Sequence, residues 1–181
     1  MSARRIVLIR HAEKPSGDGR IVGVAPGGHE DEHELSVRGW QRAGALARFF
    51  APGGGDLGVP DALFAAGPSA QRPSRRPLST LMPLAARLQR PLDCRFGKGE
   101  ELALADAASR QEGLVLVSWD HRGLGRIAQA LAKGPQGAPA DWSDDCFDRF
   151  WIFTRRDDGG WDFESRGQRL LEGDLPHPAS P

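Results

Sequence analysis

Ile6 to Ile9 form an unbroken run of branched apolar residues, a pattern suited to a strand buried on both faces of a sheet. A polar, glycine-rich stretch from Ala12 to Glu34 follows and predicts a long loop, and loops of that length inside a compact domain are usually functional. Ser36 then offers an N-cap for a helix from Val37 to Phe50, with Val37, Trp40, Ala43, Leu46, Ala47 and Phe50 spaced along one face. Pro52 and the glycines after it end that helix. Ala62 to Ala66 predicts a short second strand. Arg76 to Leu88 reads as a helix, with Pro77 tolerable in its first turn and Pro83 predicting a kink. Pro91 to Phe96 is a weak third strand and Glu100 to Arg110 a further helix. Leu114 to Ser118 is the second clear buried strand, followed by a polar turn, Trp119 to Gly125, and a helix through Ala132. Gly134 to Asp145, rich in Pro, Gly and Asp, reads as a surface linker. Phe150 to Thr154 and Trp161 to Glu164, separated by two Asp and two Gly, predict a hairpin.

Apolar runs alternating with helical patterns predict an α/β fold. The expected architecture is a three-layer α/β/α sandwich around a mostly parallel sheet, with an antiparallel C-terminal strand at its edge. Residues 1–173 are expected to form one domain and 174–181 a loosely ordered tail. A chain of 181 residues, 39% hydrophobic and 27% charged, has a globular composition. Its 24 Lys plus Arg balance 24 Asp plus Glu, which gives no support for binding nucleic acid or a membrane surface through a global positive field. No stretch approaches the roughly 20 apolar residues of a membrane-spanning helix. The N-terminal MSARRIVLIRHAEK echoes a signal peptide, but its apolar run is short and charged residues follow, so it reads as a strand. Cys94 and Cys146 lie far apart without metal-like spacing and are expected to fill the core of a protein in a reducing compartment, consistent with a cytoplasmic location.

In open α/β sheets, ligands bind beyond the carboxyl ends of the strands. The first predicted strand ends at Arg10-His11, and the fourth runs into Trp119-Asp120-His121. Arg76 opens a helix, where free backbone N–H groups also favour an anion. Phosphoryl transfer needs an in-line nucleophile and fixed cations on the equatorial oxygens. Neutral imidazole is a good nucleophile near pH 7, and the planar guanidinium matches two phosphate oxygens. Two His and two Arg make a nearly complete phosphate cage.

Four stretches, in order along the chain, resemble the histidine phosphatase (phosphoglycerate mutase-like) superfamily. IVLIRHAEKP is similar to its first strand with a closing Arg-His pair, and LSVRGWQRAGALARFF to the helix that follows. RRPLSTLMPLA resembles the stretch where an Arg precedes Thr by four residues, and VLVSWDH the strand that delivers a second His. The resemblance implies that His11 is a nucleophile forming a phosphohistidine, that Arg10 and Arg76 bind phosphate oxygens, and that His121 completes the pocket. It also implies that neither a metal nor an organic cofactor is required. SDDCFDRFWIF, the later WDF and FGKGEE resemble an RHAEKP subgroup of that superfamily. The chain departs from the usual pattern at Trp119-Asp120-His121-Arg122, where Arg122 reads as an exposed charge, and in the length of AAGPSAQRPSRRP. That length makes Arg75 a rival to Arg76, with the Thr80 and Pro83 spacings favouring Arg76.

A leaving alkoxide needs a proton, and many members of the superfamily supply it from a Glu after the third strand, where this chain has Glu100 and Glu101. A solvated first helical turn explains the same two acids. Glu13, beside the nucleophile, is a third candidate. His29-Glu30-Asp31-Glu32-His33 spells the HExxH of zinc proteases, a motif that works only on a helix. Pro26-Gly27-Gly28 before it and the absence of an apolar stripe predict a solvated acidic loop instead. Trp40, Trp142, Trp151 and Trp161 are expected to pack in the core, and Asp144, Asp145 and Asp148 to cap a helix or enter the hairpin. The reading is therefore a phosphomonoester hydrolase acting on a small phosphorylated substrate or a phosphoprotein. The alternatives are a catalytically silent phosphate-binding module and a zinc metalloprotease through His29 and His33. Substrate identity, a mutase activity and the oligomeric state are left open by the sequence.

Overall fold

A computed structural model describes residues 3–134 and 137–174. The elements run β1 (Ala3–Arg10), α1 (Val37–Phe49), β2 (Ala62–Ala65), α2 (Arg76–Leu88), β3 (Leu92–Asp93), α3 (Glu101–Ser109), β4 (Gly113–Trp119), α4 (His121–Ala132), β5 (Arg149–Arg155) and β6 (Trp161–Gly167). They build one six-stranded sheet in the order β3-β2-β4-β1-β5-β6. β1, β4, β2 and β3 are parallel, and β5 joins β1 antiparallel with β6 antiparallel beyond it.

Ile6 to Ile9 are fully buried because β1 is the centre of the sheet and has a helical layer on each face. The strand's period of two splits these residues between two cores. Ile6 and Leu8 pack with Val115, Val117 and Trp119 of β4 against Leu104 of α3 and Leu124 and Ile127 of α4. Val7 and Ile9 pack with Leu116 against Leu46 and Phe50 at α1 and Leu81 and Leu84 of α2. This is the expected three-layer sandwich, and the hairpin joins it as expected.

Several local expectations are corrected. β3 is only Leu92–Asp93 rather than Pro91 to Phe96. The residues from Trp119 to Gly125 are not a turn: Trp119 ends β4, and α4 begins at His121 with Asp120 as N-cap, its carboxylate accepting from the Arg122 N–H at 3.1 Å. Gly123 and Gly125, which read as turn residues, instead permit close packing, since a Cβ at either would collide with the Trp119 ring or the Ala140 carbonyl. Val37 lies on the exposed side of α1, 62% accessible, although Ser36 caps that helix as predicted, with Oγ accepting from Gly39 N–H at 3.1 Å. Pro83 lies inside α2, which continues to Leu88. Cys94 is exposed rather than core, while Cys146 packs against the β1–β4 core; both are free thiols. Trp142 and Trp151 are buried, Trp161 packs partly buried beside them, and Trp40 covers a small cluster of Ala12, Leu35 and Ala43. Among the described residues no helix is long and apolar enough to cross a membrane. The expected tail lies outside the described residues except for Asp174, whose carboxylate is bound by Arg42.

Candidate active site

The register of the two central strands creates the site. Arg10 of β1 pairs with Trp119 of β4, and the ladder continues one step, with the His11 N–H donating to the Trp119 carbonyl at 2.9 Å. His11 and the Trp119-Asp120-His121 corner therefore leave the sheet side by side at its carboxyl end. The next N–H, of Ala12, donates to Thr80 Oγ1 at 2.9 Å, and that hydroxyl donates to the Arg76 carbonyl at 2.7 Å. Thr80 thus fastens the first turn of α2 to the residue after His11.

His11 is 4% exposed, and its Nδ1 lies 2.8 Å from the Ala12 carbonyl oxygen. A carbonyl only accepts, so the proton resides on Nδ1 and the lone pair on Nε2. Burial pushes the imidazole pKa down to about 3; the bond to Ala12 opposes this, and the charges of Arg10, Arg76 and Lys98 reinforce it. At neutral pH the ring is uncharged, the form in which it can attack an electrophile.

Arg10 is held by the segment before β5. Its Nη1 donates to the carbonyls of Ser143 (3.4 Å), Asp144 and Cys146 (3.5 Å), and its Nη2 to Asp144 Oδ1 at 3.1 Å. The guanidinium carbon sits 3.9 Å from the centre of the Phe147 ring, whose other neighbour is the His11 ring at 6.1 Å. Arg10 Nε is buried without a hydrogen-bond partner among the described residues. Arg76 is placed by the long loop, with Nε donating to the Glu34 carbonyl at 3.3 Å and Nη2 to that of Glu32 at 2.6 Å. Arg75 pairs with the Glu34 carboxylate at 2.9 Å, which also accepts from Ser79. The charge of Arg76 is among those that lower the His11 pKa.

His121 opens α4, and its Nε2 is 3.3 Å from Asp144 Oδ1. Its pKa is also lowered, chiefly by burial and then by Arg10, with Asp144 and Asp120 opposing. The Asp144 carboxylate is shared by Arg10, Lys14 (3.6 Å) and His121. Asp144 therefore faces the site rather than merely capping the hairpin entry.

The charges of Arg10 and Arg76 act on His11, Arg10 and His121 share the Asp144 carboxylate, and Lys98, which sequence reasoning missed, also acts on His11. Lys98 is half-buried and lies 4.0 Å from Asp120. Lys98 lies in FGKGEE, two residues before the acids Glu100 and Glu101. Those acids are engaged elsewhere. Glu101, 4% exposed, accepts from Gly99 N–H at 3.0 Å and the Trp119 indole at 3.2 Å, and Glu100 accepts from Gly97 N–H at 2.7 Å. Glu13 chelates the buried Arg42, at 2.8 to 3.1 Å, and pairs with Arg38 at 3.3 Å. Arg42 in turn binds Asp174 at 2.7 Å and Gln168 at 3.0 Å, a network that fixes the backbone just beyond His11. Gly39 lets α1 lie directly on the Glu13 backbone, where a Cβ would meet the Glu13 carbonyl.

The His29 to His33 segment is a β-bridge and a turn, not a helix, so the two imidazoles do not project from one helical face as a zinc protease requires. Among the described residues, no group of three or more His, Cys, Asp or Glu converges on a shared centre.

No family model matches this chain, and no curated protein matches it by sequence. Solved structures do match by shape. The protein histidine phosphatase SixA, complexed with tungstate, has a TM-score of 0.55 at 16% identity over 91% of this chain and 97% of its own. Bacillus stearothermophilus YhfR has a TM-score of 0.55 at 16% identity over 96% and 98%. A mycobacterial glucosyl-3-phosphoglycerate phosphatase, complexed with inorganic phosphate, has a TM-score of 0.50 at 15% identity over 90% and 95%. The chain has the phosphoglycerate mutase-like fold of the histidine phosphatases.

Proposed function

We propose that this protein is a phosphomonoester hydrolase in which His11 Nε2 attacks the phosphorus of the substrate. The observation that carries the reading is the tautomer of His11. Its Nδ1 proton is committed to the Ala12 carbonyl at 2.8 Å, and the buried ring is kept neutral amid Arg10, Arg76 and Lys98. A structural histidine gains nothing from burial uncharged among three cations. A nucleophile that must accept a dianionic group gains both a free lone pair and positive charge where the equatorial oxygens collect.

In the reaction, the Nε2–P bond forms as the bond from phosphorus to the ester oxygen breaks, and the leaving oxygen takes a proton from solvent to depart as the alcohol. Water then attacks the phosphohistidine, the N–P bond breaks, and inorganic phosphate departs while the imidazole regains its lone pair. Arg10, Arg76 and Lys98 neutralise the phosphoryl oxygens, and His121 supplies a further polar contact at the start of α4. Arriving phosphate displaces the Asp144 carboxylate from Arg10 and His121. The phosphatase character of SixA and of the mycobacterial enzyme, on the same fold, supports this reading.

The test is hydrolysis of p-nitrophenyl phosphate with and without EDTA, beside His11→Ala, together with mass spectrometry of the protein quenched in alkali. Turnover that survives EDTA, is lost in His11→Ala and leaves an acid-labile phosphate on His11 supports the proposal. Turnover that persists in His11→Ala overturns it. Phosphate binding without turnover indicates the silent binding module.

A further inference from the structure

The long loop between β1 and α1 is a built structure rather than slack chain. Its first part closes on itself, with the Ser16 N–H donating to the Ile21 carbonyl at 2.9 Å and the Ile21 N–H to Ser16 Oγ at 2.9 Å. Its second part folds back through the bridges Gly23–Ser36 and Val24–Glu30. The Trp40 indole pins it to α1 by donating to the Val24 carbonyl at 2.7 Å. Gly23 permits the close crossing, because a Cβ there would collide with the Asp31 carbonyl.

This frame holds Ile21 and Val22 out toward solvent, 54% and 38% accessible. Among the described residues, the other exposed large apolar side chains are Val37 and Leu102. A single exposed hydrophobe is ordinary, but two fixed side by side on one cavity wall leave apolar surface that a ligand can cover. Ile21 and Val22 line a space of about 460 Å³ together with Glu30, Asp31, Glu32 and Arg76. Arg76 joins this space to the chemistry: the same side chain lines the cavity and is proposed to hold the phosphate, with its guanidinium fixed by the Glu32 and Glu34 carbonyls at 2.6 and 3.3 Å. A group esterified to a phosphate on Arg76 therefore has the cavity beside it. Three carboxylates against one guanidinium make the space unfavourable to a second anion. Glu30 and Glu32 are exposed, so water already solvates them and an ion pair with either gains little. The surface left unsatisfied is the apolar one.

We infer that this cavity receives the alcohol portion of the substrate, and that the preferred substrate is a phosphomonoester of a hydrophobic, uncharged alcohol, with Ile21 and Val22 as specificity-determining residues. This rests on the proposed phosphatase reading and names its substrate class.

Three alkyl probes test it on the wild type and on I21S/V22S: hexyl phosphate, ethyl phosphate, and the phosphate ester of 6-hydroxyhexanoate, which adds a carboxylate to the hexyl chain. Both substituted side chains are exposed, so the fold does not rest on them. The expected wild-type kcat/KM favours hexyl over ethyl phosphate and over the carboxylated ester. The double variant lowers the hexyl-to-ethyl ratio by about tenfold, the worth of roughly two buried methylene groups, and leaves ethyl phosphate turnover unchanged. A ratio near one in the wild type, or one that I21S/V22S does not move, refutes the cavity's role and leaves the phosphatase reading standing. A carboxylated ester as good as hexyl phosphate refutes the preference for an uncharged alcohol. If the alkyl esters are not hydrolysed, calorimetric binding decides: a preference for hexyl over ethyl phosphate that is lost in I21S/V22S supports the inference, and equal or absent binding refutes it. The phosphatase reading itself fails only if p-nitrophenyl phosphate is inert as well.

Discussion

Replacing His11 by Gln exposes the energetic cost of a buried neutral imidazole. Gln retains an N–H that can reach the Ala12 carbonyl but does not titrate. In the wild type, the folded-state pKa is pushed from 6.5 to about 3. Above pH 6.5 the ring is neutral in both folded and unfolded chains and contributes no pH dependence. As pH falls below 6.5 the unfolded chain binds a proton that the folded one refuses, so stability falls, at about 1.4 kcal/mol per pH unit. The loss levels off only near the folded pKa, at a total of roughly 5 kcal/mol. Between pH 7.5 and 4.5 the wild type should lose about 2.7 kcal/mol more than His11→Gln, because only the two units below 6.5 count. Other groups titrate alike in both proteins and cancel. Urea unfolding at the two pH values, followed by tryptophan fluorescence, measures the difference. Equal losses in the two proteins would refute the buried neutral ring, and with it the argument that His11 is a ready nucleophile at neutral pH.

Two further outcomes follow from the contacts around His11. Arg42→Met strands the Glu13 and Asp174 carboxylates and should cost about 3–5 kcal/mol near neutral pH, measured by urea unfolding. Asp174 is held at about 2, burial raising its pKa and the bonds from Arg42 and from the Leu170 and Leu171 N–H groups lowering it further, so the pairing is fully present above about 3.8. The gap between Arg42→Met and wild type should therefore narrow as pH falls from about 4 toward 2, and a gap constant with pH contradicts the assignment. Asp144→Asn removes a carboxylate that competes with phosphate for Arg10, Lys14 and His121. Because that carboxylate is largely exposed, inhibition by inorganic phosphate should tighten by only about two- to fivefold. Weaker phosphate inhibition would show that Asp144 helps bind the anion rather than compete with it.

Much of this protein is written in local sequence. The unbroken apolar runs at Ile6–Ile9 and Leu114–Ser118 mark the two central strands, because a strand covered on both faces has no polar side to display. Ser36 marks the start of α1, and Asp157 to Gly160 marks the hairpin, since caps and turns are set by the chemistry of single residues. The Arg10-His11 pair, with Arg76 and His121, carries the candidate chemistry in its residue types alone. What the sequence could not decide is which groups are already spent. Glu13, Glu100 and Glu101 look alike as acids along the chain, yet one is locked to Arg42, one to Gly97 and one to Trp119. Asp144 looks like a cap and instead lies on Arg10 and His121. Gly123 and Gly125 look like a turn and instead make room for Trp119 and Ala140 inside a helix. Partnership and close approach depend on residues far apart in the chain, and only the packing of β1 against β4, with helices on both faces, brings those partners within reach.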